Sequence, residues 1–153
     1  MKRTALNTGL KAAIVGLATL GAPAIAETIT QTSPKSVSAT MDALQAAVEG
    51  AGATVFARVD HGAGAAKVEM ALPEAQLLIF GNPALGTPAM QADIHAGLQL
   101  PLKVLVYAGD AGTVVAYESV PTLFDGLDLP LDAEFAQKMT GALAALTGKA
   151  IAE

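Results

Sequence analysis

The sequence predicts an α+β fold, a mainly antiparallel sheet with helices packed on one face. Three observations predict it. Two stretches carry apolar residues at helical spacing: Val37, Met41, Leu44 and Val48, and later Phe135, Met139, Ala142 or Leu143, and Leu146. Between them lie short runs rich in β-branched, apolar and aromatic residues, Thr54 to Asp60, Leu77 to Phe80, Leu102 to Tyr107 and Thr113 to Tyr117. The last two are joined through Gly109-Asp110-Ala111-Gly112, whose glycines and length predict a hairpin and therefore antiparallel strands.

The elements follow in chain order. Residues 1–26 read as an export signal: Lys2 and Arg3 precede an uncharged run from Ala12 to Ala22, and Ala24-Ile25-Ala26 places small residues where a signal peptidase reads them, so cleavage is expected after Ala26. Gly9, Gly16, Gly21 and Pro23 argue against a buried helix there. The remainder, residues 27–153, is one domain with no internal repeat or linker. Glu27 to Gln31 is a first strand. The stripe from Val37 to Val48 is a helix that Gly50 or Gly52 ends. Thr54 to Asp60 is a strand closed by His61-Gly62, and Ala63 to Ala71 is rich in helix formers. Leu77 to Phe80, continuous apolar sequence between Pro73 and Gly81, reads as a strand buried on both sides. Thr87-Pro88 reads as a cap with proline at the first helical position. Asp132 is the expected cap of the last helix, which closes near Gly148.

Composition excludes several functions. There is no cysteine, hence no disulfide and no thiolate metal site. Without the leader, six basic residues stand against fourteen acidic ones, a net charge of −8, and Arg58 is the one arginine left. Nucleic acid and anionic membrane surfaces are repelled by such a field. No segment reaches the ~20 apolar residues of a membrane helix, so membrane insertion is not expected. The expected location is periplasmic or secreted.

The order of the residues also resembles a known family. Phe56-Ala57-Arg58-Val59-Asp60-His61, then Leu78-Ile79-Phe80-Gly81-Asn82-Pro83 and Gly86-Thr87-Pro88, then Leu100-Pro101-Leu102-Lys103 resemble the "domain of unknown function 302" family over about residues 36–125. The resemblance implies a β-α-β-β-β-β-α-like core and self-association, and it implies no agreed activity.

Five residues stand out as candidate ligand-binding positions: Asp60, His61, Asn82, Thr87 and Lys103. Asp60-His61 ends a strand before a glycine-rich turn, and histidine serves as base or ligand near neutral pH. The alternative is structural, with His61 bonding backbone carbonyls and Asp60 accepting the N–H groups of the turn. Gly81 to Thr87 has phosphate-loop glycine spacing but lacks the lysine before Thr87, and Pro83 removes a donor, so nucleotide hydrolysis is rejected. Asn82 and Thr87 keep a weaker role, receiving a carboxylate or small anion at a helix start, or simply stabilising turn and cap. Lys103 interrupts an apolar strand, either as a buried amine or with its stem packed and its ammonium in water. His95, the other imidazole, stands beside Asp93 without metal-ligand spacing. No catalytic residue, metal or cofactor is assigned.

Both faces of the hairpin strands are apolar, with Leu102, Val104 and Val106 on one side and Leu105 and Tyr107 with Lys103 on the other. One helical layer covers one face. A second copy is the expected cover, the alternative being the short helices after His61 and Thr87. These readings favour a non-enzymatic homodimer that binds a small apolar or amphiphilic ligand, or a protein, between sheet and helices. The alternatives are an enzyme or metal-binding protein using Asp60, His61 and Asn82, and a purely structural interaction module.

Overall fold

The computed structural model describes residues 27–153; the expected export signal, residues 1–26, lies outside them. Strand β1 (Thr28–Ser33) leads into helix α1 (Val37–Gly50), strand β2 (Thr54–Asp60) and short helix α2 (His61–Lys67). Strand β3 (Ala75–Gly81) is followed by α3 (Pro83–Ala92) and α4 (Ala96–Gln99). The hairpin β4 (Leu102–Gly109) and β5 (Gly112–Glu118) then leads through α5 (Val120–Leu123) to the long α6 (Glu134–Ile151). The strands form one antiparallel sheet in the order β1-β5-β4-β3-β2, so the fold is α+β.

Periodicity places the core. In α1 the residues Val37, Met41, Leu44 and Val48 are buried together, and Ser36 caps the helix by accepting the Ala39 N–H. In α6 Met139, Leu143 and Leu146 are buried, while Phe135 is half-buried. Both stripes meet Leu78 and Phe80 of β3, Leu102, Val104 and Val106 of β4, and Val115 and Tyr117 of β5 in one apolar cluster. Buried and less buried residues alternate along β3 and β4, as a period of two requires, while in β5 Ala116 is buried between Val115 and Tyr117.

That alternation corrects the reading of β3 as a strand buried on both sides. Gln76, Leu78 and Phe80 are buried, but Leu77 and Ile79 are only half-buried, because the helices lie against one face. Through the register, Leu77 and Ile79 share the free face with Leu105 and Tyr107, and Val114 and Ala116 continue it. Helix α3 packs beside α6, on the helical side, so it does not cover that face.

Two helix boundaries differ from expectation. Helix α3 begins at Pro83, with Asn82 as its cap, and Thr87-Pro88 lies inside it. Asn-Pro and Thr-Pro carry the same capping chemistry, and the first to follow β3 starts the helix. Helix α6 starts after Ala133, which gives no side-chain cap, because Ala133 N–H closes a turn onto Pro130 and leaves Asp132 outside the helix. It also runs past Gly148 to Ile151. Burial of Ala150 outweighs the weak helix preference of glycine, and Lys35 holds the end by donating to the Ala150 carbonyl at 3.1 Å and to that of Ala152. Lys35→Ala is therefore expected to lower stability by about 1 kcal/mol, measured as a shifted urea midpoint at unchanged slope.

The arginine left in the domain is occupied within the fold. Arg58 Nε donates to Gln76 Oε1 at 2.8 Å, satisfying a buried amide, and a terminal guanidinium nitrogen donates to Asp42 Oδ1 at 2.6 Å. This ties α1 to β2 and β3.

Candidate functional site

One end of the sheet builds a cavity of about 350 Å³. Its construction begins in β2. Pairing with β3 runs from Thr54↔Gly81 and Val55↔Phe80 to Ala57↔Ile79, so Phe56 is the extra residue of a bulge. A bulge re-aims its side chain, and Phe56, 60% exposed, stands over the cavity instead of taking a place in the pleat. β3 ends at Gly81, Asn82 turns the chain into α3, and Leu85, Gly86 and Met90 of that helix form a second wall. Gly97, Leu100 and Pro101 close a third side, and Met139 of α6 contributes from the core. A Cβ at Gly97 would stand 3.1 Å from the Met90 methyl, so glycine is what lets α4 approach that side chain.

None of the lining residues is charged. The polar side chains are Asn82 and Thr87. Asn82 Oδ1 accepts the Ala84 N–H at 2.9 Å, which fixes the amide, and its nitrogen has no protein partner among the described residues. Thr87 lies within α3, exposed, and does not cap it. The arrangement can hold an uncharged apolar body and donate one or two hydrogen bonds at its edge.

The five sequence-chosen residues thus fall in three places. Asn82 and Thr87 line the cavity together. Asp60 and His61 lie at the opposite end of the β2–β3 ladder, where Asp60 pairs with Gln76, about 20 Å along the strands from Asn82. Asp60 Oδ1 accepts the Ala63 N–H at 2.8 Å and caps α2, and His61 is its exposed first residue. A reaction centre using Asp60, His61 and Asn82 would have to span that length. Lys103 projects from the free face of the sheet, beside Ile79.

His95 is held locally. Its ring Nδ1 lies 2.8 Å from Asp93 Oδ1, which also accepts the His95 backbone N–H, while Asp93 Oδ2 accepts the N–H of Asp128. The His95 backbone N–H, followed by its ring, holds the Asp93 carboxyl below its usual value. Since the folded value is the lower one, this tie is complete above the ordinary carboxylate range and is lost as pH falls through the lowered value. Among the described residues no three histidines, aspartates or glutamates gather as metal ligands.

The sequence reading missed Phe56, Met90, Leu100, Pro101 and Met139 as cavity residues. Apolar side chains at strand and helix spacing look like core, and nothing local announces the bulge. The small residues Gly81, Gly86 and Gly97 were the available signal.

Comparison with known proteins places this geometry. A solved protein from Bacillus stearothermophilus, described as an uncharacterized conserved DUF302 protein, shares the fold at a TM-score of 0.73, over 80% of this chain and 97% of that one, with 18% identity. Proteins of Brucella suis and Brucella abortus, each named "Fluoride-specific ion channel FluC 1", are 42% identical to this chain over 86 residues, 56% of it. The match takes up 34% and 32% of their length, so this chain spans about a third of the curated relatives it matches. No helix among the described residues is long and apolar enough to cross a membrane. The family described as "Domain of unknown function DUF302" matches residues 29–146, wider on both sides than the motifs alone indicated, and the chain belongs to that family.

Proposed function

We propose that this protein is an exported homodimer that binds a small, neutral, apolar or amphiphilic molecule in the cavity between β2, α3, α4 and α6. The observation that carries the reading is the uncharged lining: burying an ionised ligand there would leave its charge unpaired, whereas apolar surface removed from water contributes about 25 cal/mol per Å². The Asn82 amide suits a carbonyl, ether or hydroxyl oxygen. Export rests on the leader, and cleavage after Ala26 would leave the strand that begins at Thr28 whole. Self-association rests on the half-buried row Leu77, Ile79, Leu105, Tyr107 and Val114 on the free sheet face.

Fluorescence titration tests the binding reading. The purified chain is expected to bind neutral N-phenylnaphthylamine at one molecule per chain and the negatively charged anilinonaphthalene sulfonate at least about tenfold more weakly. Equal binding of the two, or none of either, would remove the proposal. Light scattering at micromolar concentration is expected to give twice the chain mass, and a monomer would remove the dimer.

A further inference from the structure

The neighbouring interior strands β4 and β5 part at one end of the sheet. Pairing of β4 with β5 runs from Gly109↔Gly112 to Leu105↔Ala116 and stops, although β4 remains paired with β3 as far as Leu102↔Phe80 and β5 with β1 as far as Glu118↔Thr28. Lys103 and Glu118 are the residues that continued register would set opposite each other. Directly opposed charges of opposite sign normally pair across strands. Here they are absent from the ladder and from the ion pairs of the described residues. A cavity of about 230 Å³ opens in the parting, with Thr28, Lys103 and Glu118 among its walls and the buried Leu123 and Leu143 lining it from the helical side. It carries charge where the α3 cavity carries none, and Leu102 forms part of the wall of each.

The chemistry of this opening is that of a zwitterion. Its walls include one cation, one anion and the hydroxyl residue Thr28, and it ends in leucine side chains. An ammonium and a carboxylate on one carbon satisfy both charges at once, and such charge-assisted hydrogen bonds are the strong ones. An apolar side chain on the same carbon would fill the space toward Leu123 and Leu143. We propose that the parting of β4 and β5 binds a free apolar α-amino acid of about leucine size, its carboxylate on Lys103 and Thr28 and its ammonium on Glu118. Leu77 and Leu105 line this opening and also belong to the row proposed for self-association, so a second copy on that face competes with the amino acid for it.

Titration calorimetry of the purified chain with L-leucine tests the site. Saturable binding is expected, with isovalerate and isoamylamine, which each carry one of the two charges, at least about tenfold weaker. Lys103→Met and Glu118→Gln, both at exposed positions, are each expected to weaken leucine about tenfold or more. Gly86→Leu, which fills the other cavity, is expected to leave it unchanged. The proposal is overturned by absence of leucine binding at millimolar concentration, by binding that survives both charge variants, by equal binding of isovalerate, or by loss of binding in Gly86→Leu. Loss of binding in Gly86→Leu would place the amino acid in the α3 cavity and count against its neutral-ligand reading as well; the other three outcomes leave that reading untouched.

Discussion

A Gly86→Leu protein is expected to lose binding of N-phenylnaphthylamine by about a hundredfold or more while staying at least as stable as the parent. Gly86 lies in α3 with ordinary helical geometry, so no left-handed conformation resists a side chain. A Cβ there would meet the Leu100 Cδ1 at 3.5 Å, an ordinary contact, and the rest of a leucine would extend into the cavity. Leucine is also a better helix former than glycine by roughly 0.5–1 kcal/mol. The side chain thus replaces the ligand: it takes the apolar surroundings that a bound molecule would use, worth about 3 kcal/mol or a factor of about a hundred. Fluorescence titration reads the binding and urea unfolding reads the stability. Undiminished binding would place the ligand elsewhere.

Leu78→Ala is expected to cost about 2–5 kcal/mol of stability, and its neighbour Leu77→Ala about 1 kcal/mol. The two residues are adjacent on β3 with identical chemistry. Leu78 is fully buried against the helical layer, where removing three carbons leaves a cavity that close-packed neighbours cannot collapse to fill. Leu77 points to the free face and is half-buried, so its truncation forfeits less. The same Leu77 change is expected to weaken self-association, since it lies in the half-buried row of the free face. Urea midpoints of both variants, with the mass in solution, separate the two effects. Equal stability losses would contradict the one-sided layering of the sheet.

The sequence was most legible where burial follows a period. Val37, Met41, Leu44 and Val48 mark α1 because one helical stripe faces the sheet, and the glycines around Asp110 and Ala111 give the hairpin its turn. It was least legible where two local signals carry equal chemistry. Asn82-Pro83 and Thr87-Pro88 are both good helix starts, and the choice between them is made by where β3 ends. The end of α6 was equally hidden, since a glycine at position 148 says stop while Lys35, more than a hundred residues away in sequence, holds the helix open to Ile151. Of the candidate site, Asn82 and Thr87 were visible as polar residues at a turn. Its apolar walls were not, because Phe56 reaches them through a bulge and Met139 through a helix that periodicity assigns to the core.

The methionines give the most direct test of the central claim that a neutral ligand occupies this cavity. Met90 and Met139 line it, Met41 is buried elsewhere in the core, and Met70 lies exposed in the loop before β3. With carbon-13 labelled methionine methyl groups and N-phenylnaphthylamine added stepwise, the Met90 and Met139 resonances are expected to shift together and saturate, while those of Met41 and Met70 stay in place. Saturation that moves Met70 alone, or no methyl group, would contradict it.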